Sequence, residues 1–349
     1  MRNTRSPLVA SIRQNPGFYG AILMLLVLYL VYNILHPRGF SAAVLIQNTN
    51  ESVAIVFLAM AQTVPVLLGG LDLSVGAIMT LTNCVASVVL NGSPPQIILG
   101  MIITLATGTA FGLVNGLIVV YGRLQPIIAT LATGAVAVGL ALFIRPAPGG
   151  TVDDDISWAL TNDLYELVDT YGWFDADAGW FAPFAWFPVP LLIVLVIGFG
   201  VWLPFKHTVT GRTVYAIGSA EGAAYMSGLN LNGAKIAAFT LAGFFAGCAG
   251  LYLAIQTSSG NADITQAGAY TLNSIAAVVV GGTSLLGGVG GAIASLVGAL
   301  VLRVISFYFR IVSIDPLLQP LVEGLVLLAA VSLGAFRTLR ARNQLTLFR

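Results

Sequence analysis

The sequence predicts an all-α fold, a polytopic bundle of about ten transmembrane helices, and three observations lead to this prediction. Hydrophobic residues make up 57% of the 349 residues and charged residues only 8%, and the mean hydropathy is +0.91. A water-soluble protein needs far more charge on its surface. The apolar residues fall into runs close to the 20 or so that cross a bilayer, and basic residues gather at alternate ends of these runs.

Ten apolar runs are expected to cross the membrane in sequence. The glycines at residues 281–291 leave open whether the eighth and ninth runs are two spans or one broken or re-entrant segment. The predicted spans are residues 18–36, 52–69, 73–91, 96–121, 125–144, 188–205, 233–254, 270–286, 288–309 and 317–336.

Basic residues next to the spans predict that both termini lie in the cytoplasm. Arginines precede the first span and follow the last, Arg123 lies between the fourth and fifth, and Arg212 lies with two lysines in residues 206–235. Ten spans place these four groups on one side of the membrane. Four other arginines lie at opposite ends: Arg38, Arg145, Arg303 and Arg310. The expected organisation is a cytoplasmic tail (1–17), a transmembrane domain (18–336) and a second cytoplasmic tail (337–349).

Residues 146–187 have the composition of an external segment. They contain eight acidic residues, no Lys or Arg, and four of the five tryptophans, whose rings favour the headgroup region. Apolar residues from Leu160 to Tyr171 keep helical spacing and predict a surface helix. It is either a helix at the membrane interface or a landing surface for an extracellular partner.

Residues 206–235 form a polar interruption on the predicted cytoplasmic side. Ser219 can cap a short helix, Glu221 falls in its first turn, and Gly228 can end it in a left-handed conformation. One face carries only small residues and could approach another surface closely: Ala220, Ala223, Ala224 and Ser227. The segment is either a docking element or a plain connection.

Two glycine breaks interrupt the apolar sequence. Gly69 and Gly70 separate the second and third spans, and Gly281 and Gly282 follow 212 residues later. An acid, Glu51 or Asp263, precedes each break by eighteen residues, which suggests the internal repeat found in many transporters. In the first break, Asp72 is either functional or, with Ser74, a simple N-cap of the third span.

Other polar and small residues within the spans suggest helix contacts. The polar residues are interhelical hydrogen-bond partners or line a path: Gln62, Asn115, Asn273 and Glu323. Small-residue ladders predict tight helix packing: Gly108, Gly112 and Gly116, and Gly243 and Gly247.

Several functions are excluded by missing signatures. Lys206 and Lys235 are the only lysines and neither fits a Walker A loop, so no ATP binding of that kind is expected. The two histidines and two cysteines have no metal-ligand spacing, and no nucleophile and base form a pair for intramembrane hydrolysis. The basic residues are too scattered for a nucleic-acid surface. We therefore expect no cofactor, no metal and no catalytic site on this chain.

Five motifs give the chain a family resemblance over about residues 50–335. They are GGLDLSVG at 69–76, NGLIV at 115–119, PIIATLAT at 126–133, TxxGRxxYAIG at 208–218 with the Ser-Gly at 227–228, and SIAAVVVGGTSLLGGVGG at 274–291. Together they resemble the permease subunits of bacterial ABC importers of the ribose and simple-sugar type, which are related to the branched-chain amino acid permeases.

The resemblance implies a multi-pass subunit of the bacterial inner membrane and a set of partners. In such importers two permease chains, identical or different, form the pathway in the lipid bilayer, cytoplasmic ATPase subunits bind ATP, and an extracytoplasmic binding protein delivers the solute. Residues 215–229 match the family's coupling helix, which sits in a groove of the ATPase. The residues expected to carry coupling are Gly211, Arg212, Tyr215, Gly218, Glu221, Ala224, Ser227 and Gly228.

The expected function is ATP-driven import of a monosaccharide or similar polyol. The expected path residues are Gln62, Asp72, Asn115 and Asn273. The family often has an acid where Asn273 stands, and residues 146–187 are longer than expected; both could reflect a different solute or binding protein. The alternatives are import of branched-chain amino acids or another small polar solute, and ion-coupled secondary transport, for which Asp72 and Glu323 are the available intramembrane acids.

Overall fold

The computed structural model describes residues 15–313 and, beyond them, residues 315, 318, 321, 322, 324, 325, 328 and 332. Residues 15–313 form thirteen helices and two isolated β-bridges, and no β-strand occurs among them. The helices are α1 Pro16–Leu35, α2 Ala42–Leu67, α3 Val75–Val89, α4 Pro94–Tyr121, α5 Pro126–Ile144, α6 Asp154–Thr161, α7 Leu164–Tyr171, α8 Ala182–Ala185, α9 Val189–His207, α10 Val209–Met226, α11 Leu231–Thr257, α12 Ile264–Val280 and α13 Ala292–Ile311.

The all-α prediction is confirmed for the described part of the chain. Seven helices are long and apolar enough to cross a membrane: α1, α2, α4, α5, α9, α11 and α13. Two shorter apolar helices, α3 and α12, fall on the third and eighth predicted spans, so each of the first nine predicted spans coincides with a helix. The predicted tenth span, Glu323 and both terminal tails fall mainly outside the described residues. The count of ten and the side on which each terminus lies stay predictions.

Helix α2 is the centre of the bundle. It begins ten residues before the predicted second span, and every residue from Ser52 to Leu67 is buried. A helix that is apolar all round is expected to be enclosed by others, and α2 packs against α11, α13 and α12. Phe57 of α2 and Phe245 of α11 stack with ring centroids 6.4 Å apart.

The predicted glycine ladder joins α4 to α11. A Cβ on Gly108 would lie 2.6 Å from the carbonyl oxygen of Gly243, and one on Gly112 would lie 2.3 Å from that of Phe239. Only glycine allows backbones to approach this closely. The prediction of tight packing from small-residue spacing is therefore confirmed.

Residues 146–187 contain three short helices, α6, α7 and α8. The surface helix predicted from Leu160 to Tyr171 is broken at Asn162 and Asp163, because Asp163 begins a new helix by accepting a hydrogen bond from the backbone N–H of Glu166 at 3.0 Å. A backbone pair between Gly149 and Gly260, at 3.0 and 2.8 Å, ties this segment to the turn between α11 and α12.

Both predicted glycine breaks are present. The first break, residues 68–74, separates α2 from α3, and the second break, residues 281–291, separates α12 from α13. The eighth predicted span is wrong at its end, since α12 stops at Val280. Gly282, Gly287, Gly288 and Gly290 all adopt positive φ, which continues no helix. The second break thus separates two distinct helices.

Candidate functional site

The first break is closed by a buried polar network around Asp72. Its Oδ1 accepts hydrogen bonds from the backbone N–H of Ser74 at 2.8 Å and from the Ser74 hydroxyl at 2.5 Å. Asn115 on α4 donates to the Ser74 hydroxyl at 2.8 Å, and Thr133 on α5 donates to the Asn115 carbonyl oxygen at 2.5 Å. The network therefore fastens the break to two neighbouring helices.

Gln62 on α2 completes this network from the other side. In the amide orientation that satisfies both of its polar atoms, Gln62 donates to the backbone carbonyl of Asp72 at 2.8 Å and accepts from its N–H at 3.2 Å. The hydroxyl of Thr130 accepts from the N–H of Leu73 at 3.1 Å. The backbone of the break is thus hydrogen-bonded by side chains instead of by a helix.

Three of the four predicted path residues come together here. Gln62, Asp72 and Asn115 are fully buried and bonded within one network, whereas Asn273 lies half-buried on α12. The Asp72 Oδ2 has no hydrogen-bond partner in the described part of the chain. Ser74 occupies the N-cap position of α3, but neither its side chain nor that of Asp72 caps the helix, so the interpretation as a simple side-chain cap is wrong.

The second break is closed mainly by hydroxyl groups. Thr63, the neighbour of Gln62 on α2, donates to the Ser295 hydroxyl at 2.6 Å. Ser295 lies 3.5 Å from the Thr283 hydroxyl, which accepts from the N–H of Gly291 at 3.2 Å. Consecutive residues of α2 therefore support the two breaks.

The breaks meet helix α10 at Gly218. The N–H of Gly288 donates to the carbonyl oxygen of Leu67, at the end of α2, at 3.0 Å. A Cβ on Gly218 would lie 1.9 Å from that oxygen and 2.4 Å from the Gly288 nitrogen, so any side chain at this position would have to displace the contact. We call Leu67, Gly218, Gly287 and Gly288 the glycine junction.

The first half of α10 is anchored to the second break. The Tyr215 hydroxyl donates to the carbonyl oxygen of Gly290 at 2.9 Å. Burial raises the pKa of Tyr215 to about 12, so the hydroxyl keeps its proton at neutral pH. Gly211 is buried, and a Cβ there would lie 2.1 Å from the Phe205 carbonyl oxygen, whereas Arg212 is exposed.

Helix α10 is kinked at Ala220, whose backbone is not helical. The short helix predicted in this region is therefore present, as residues 221–226. The predicted cap is wrong by one residue, because the Ser219 hydroxyl donates to the Tyr215 carbonyl at 2.9 Å instead. Gly228 does adopt the predicted left-handed conformation, with φ of 74°.

The second half of α10 presents an exposed surface. Tyr225 and Met226 are 72% and 85% exposed, and Ser227 is exposed beside them. Glu221 pairs with Lys235 of α11 at 2.6 Å. Ala224 is buried, so it anchors the turn instead of facing a partner as expected of a coupling residue.

Sequence reasoning missed three parts of this site. Leu67 and Gly288 belong to the glycine junction through backbone atoms, which no residue pattern reveals. The outward position of Tyr225 and Met226 had a usable signal, since two large side chains stand in a loop of small and polar residues.

The chain is similar over most of its length to several import permeases. The chain is 35% identical over 316 residues to the ribose import permease protein of Bacillus subtilis strain 168, covering 90% of this chain and 91% of that protein. It is 33% identical over 311 residues to the ribose import permease protein of Escherichia coli K12, covering 89% and 91%. It is 31% identical over 281 residues to the fructose import permease protein of Bifidobacterium longum, covering 80% and 78%.

No solved structure matches the chain. A family model matches residues 44–331, which include both glycine breaks, the glycine junction and the exposed turn of α10. Together with the apolar helices, this match makes the chain a multi-pass membrane protein. The chain belongs to the family described as the permease component of the branched-chain amino acid transport system.

Proposed function

We propose that this protein is the membrane-spanning permease subunit of an ATP-driven importer for a monosaccharide or similar polyol. The observation that carries the proposal is the glycine junction, because it joins an exposed helical turn to both breaks in the bundle. The relatives that are named for ribose and fructose import support the choice of solute.

The exposed turn of α10 is the docking element for a cytoplasmic ATPase subunit. Tyr225 and Met226 supply apolar area for a groove, and the small residues beside them allow close approach. ATP binds to the partner, and this chain holds no cofactor. A second permease chain and an external binding protein complete the importer in the bacterial inner membrane, with ten spans and both termini in the cytoplasm.

Movement of the ATPase is transmitted through the glycine junction. A push on residues 221–226 reaches Gly218, which touches the end of α2 and the second break at the same point. Tyr215 adds a direct hydrogen bond to Gly290. The helices on either side of the breaks then rock between outward and inward access, as in other transporters with broken helices.

The proposed path residues divide into two roles. Gln62, Asp72 and Asn115 are fully buried, so they shape the wall of the path from behind. Of the four, only Asn273, on α12, is not fully buried, so it is the residue of this set that faces the path.

Transport assays test the proposal. Cells carrying the importer should take up labelled D-ribose or D-fructose but not L-leucine, and an ATPase subunit should copurify with the permease. Uptake should stop on ATP depletion and survive an ionophore. Uptake of leucine but of neither sugar would show that the importer transports amino acids instead.

One observation favours a second candidate, an ion-coupled carrier. Asp72 is a buried acid with an unpartnered carboxylate oxygen in the described part of the chain, and such acids carry protons or ions in secondary transporters. Uptake that survives ATP depletion and collapses with an ionophore would establish that alternative.

A further inference from the structure

A polar cleft of 470 Å³ lies where α2, α6 and α11 meet. It is near the start of α2 and the end of α11, at the end of the bundle that carries residues 146–187. Six of its eight lining residues are polar: Gln47, Asn50, Glu51, Thr161, Asn162 and Gln256. Its volume falls within the range of small-molecule sites, about 300–1,000 Å³.

Part of this lining is held rigidly by internal hydrogen bonds. Asn50 donates to the Thr161 carbonyl at 2.6 Å and accepts from the Tyr252 hydroxyl at 2.5 Å. The Asn162 amide donates to the Trp158 carbonyl at 3.1 Å. The cleft is therefore preformed, which lowers the entropic cost of binding.

Other polar groups in the lining remain free to bind a ligand. The Gln256 side chain makes no hydrogen bond to any described residue, and the side-chain oxygens of Gln47 and Asn162 accept none from that part of the chain. The Gln47 amide nitrogen donates one hydrogen bond to a described residue, a long one of 3.4 Å to Glu51. Amide donors and acceptors thus converge on one space.

The one charged side chain that lines the cleft, Glu51, is already paired. Glu51 accepts from Arg310 at 2.6 Å and from Arg303 at 3.4 Å, and neither arginine lines the cleft. The remaining polar lining is uncharged. A cation would meet a carboxylate that is already paired with two arginines, and no cationic side chain lines the cleft to bind an anion, so the lining suits a neutral ligand with many hydroxyls.

We infer that this cleft is a monosaccharide-binding site, distinct from the path residues Gln62, Asp72, Asn115 and Asn273, that holds sugar at the outer end of the permease. This inference rests on the proposed function. Alternating donors and acceptors on neighbouring amides match vicinal hydroxyl groups, each of which both donates and accepts. The site is open, so it holds sugar weakly and releases it quickly.

The test uses the full chain in nanodiscs and equilibrium dialysis with labelled D-ribose, D-fructose and L-leucine. At least one sugar should bind saturably with a Kd on the order of 1 mM, and leucine should not. Gln256→Met removes the free amide and should weaken binding about tenfold, the loss expected for one hydrogen bond. Ala43→Phe adds a large side chain to the lining of the cleft and should abolish binding.

Gln266→Met is the matched control. Gln266 is also half-buried and lies near the same end of the bundle, in the first turn of α12, but it does not line the cleft. Its substitution should leave sugar binding unchanged. Binding that survives both Gln256→Met and Ala43→Phe, or the absence of saturable binding by either sugar, would overturn the inference.

Two further arms separate this inference from related alternatives. The glycerol headgroup of phosphatidylglycerol carries similar hydroxyls, so sugar binding is measured both in discs that contain phosphatidylglycerol and in discs of phosphatidylcholine alone. Sugar binding that appears only in the phosphatidylcholine discs would show that the phosphatidylglycerol headgroup is the occupant of the cleft. ATP-driven sugar uptake by an importer whose permease shows no binding at the cleft would overturn the site alone. Failure of any sugar uptake would instead overturn the proposed function.

Discussion

The two glycine breaks interrupt the bundle in similar ways but are held differently. At the first, the Asp72 carboxylate accepts from Ser74, the Gln62 amide of α2 bonds the Asp72 backbone, and the Asn115 amide of α4 donates to the Ser74 hydroxyl. The second relies on hydroxyls of Thr63, Thr283 and Ser295, and four of its glycines adopt positive φ.

This difference suggests that the first break is a rigid anchor and that the second break moves during transport. Dense buried hydrogen bonding stabilises one arrangement strongly, because each broken bond leaves a buried polar group unpaired. The second break has fewer such bonds, and α10 contacts it through Gly218 and Tyr215. We expect substitutions at the first break to reduce stability and substitutions along the second to reduce coupling.

The largest expected effect is that of Gly218→Ala. The added Cβ would overlap the Leu67 carbonyl oxygen at 1.9 Å and push α10 away from both breaks. ATP-driven uptake should fall by about 100-fold, the effect of a misfit of up to about 3 kcal/mol. Uptake is measured in cells, with surface expression checked in parallel.

Gly268→Ala is the control for this substitution. Gly268 lies on an exposed face of α12, and a Cβ there would have nothing within 4 Å. It should transport like the wild type. Normal uptake by Gly218→Ala would show that the glycine junction does not transmit the movement of the ATPase.

The first break is tested by Asp72→Ala, which should mainly affect stability. Loss of the carboxylate leaves the N–H and hydroxyl of Ser74 without their acceptor, at a cost of about 1–3 kcal/mol. The melting temperature in detergent should fall by several degrees. Asp263→Ala, which removes an accessible helix cap, should cost about 1 kcal/mol. A smaller loss of stability for Asp72→Ala than for Asp263→Ala would contradict the role of the first break as a rigid anchor.

The sequence was sufficient for features that depend on residue type. Hydropathy located nine helices, glycine spacing predicted tight helix packing without naming the partner helices, and Gly228 marked the left-handed turn. Paired breaks were also visible, although the acids thought to be equivalent are not: Asp263 caps α12, whereas Glu51 pairs with Arg303 and Arg310.

The features that could not be predicted depend on backbone atoms and on contacts between residues that are distant in the sequence. The glycine junction joins residues 67, 218 and 288 through a carbonyl, a missing Cβ and an N–H, none of which has a residue pattern. Likewise, Gln62 and Thr63 are adjacent in sequence but support different breaks, because successive residues of a helix point about 100° apart.

A smaller effect on coupling is expected for Tyr215→Phe. The change removes one hydrogen bond to the second break, worth about 1 kcal/mol, so sugar imported per ATP hydrolysed should fall about fivefold. Because the pKa of Tyr215 is raised to about 12, the hydroxyl stays protonated in the wild type between about pH 6 and 9, and the difference should not change with pH there. Tyr121→Phe, at an exposed tyrosine at the end of α4, should leave the yield per ATP unchanged.

The smallest effect is expected for Gly228→Ala, which changes backbone strain without changing packing. Gly228 has φ of 74° and a Cβ added there would have nothing within 4 Å, and Gly172 at the end of α7 has φ of 59° and is equally open. Alanine in a left-handed cap costs about 1 kcal/mol at either site, so both variants should melt slightly earlier. Only Gly228→Ala also loosens the turn behind Tyr225 and Met226, so it alone should lower ATP-driven uptake, by about twofold. Equal uptake by the two variants would show that the shape of this turn, unlike its attachment at Gly218, is not needed for coupling.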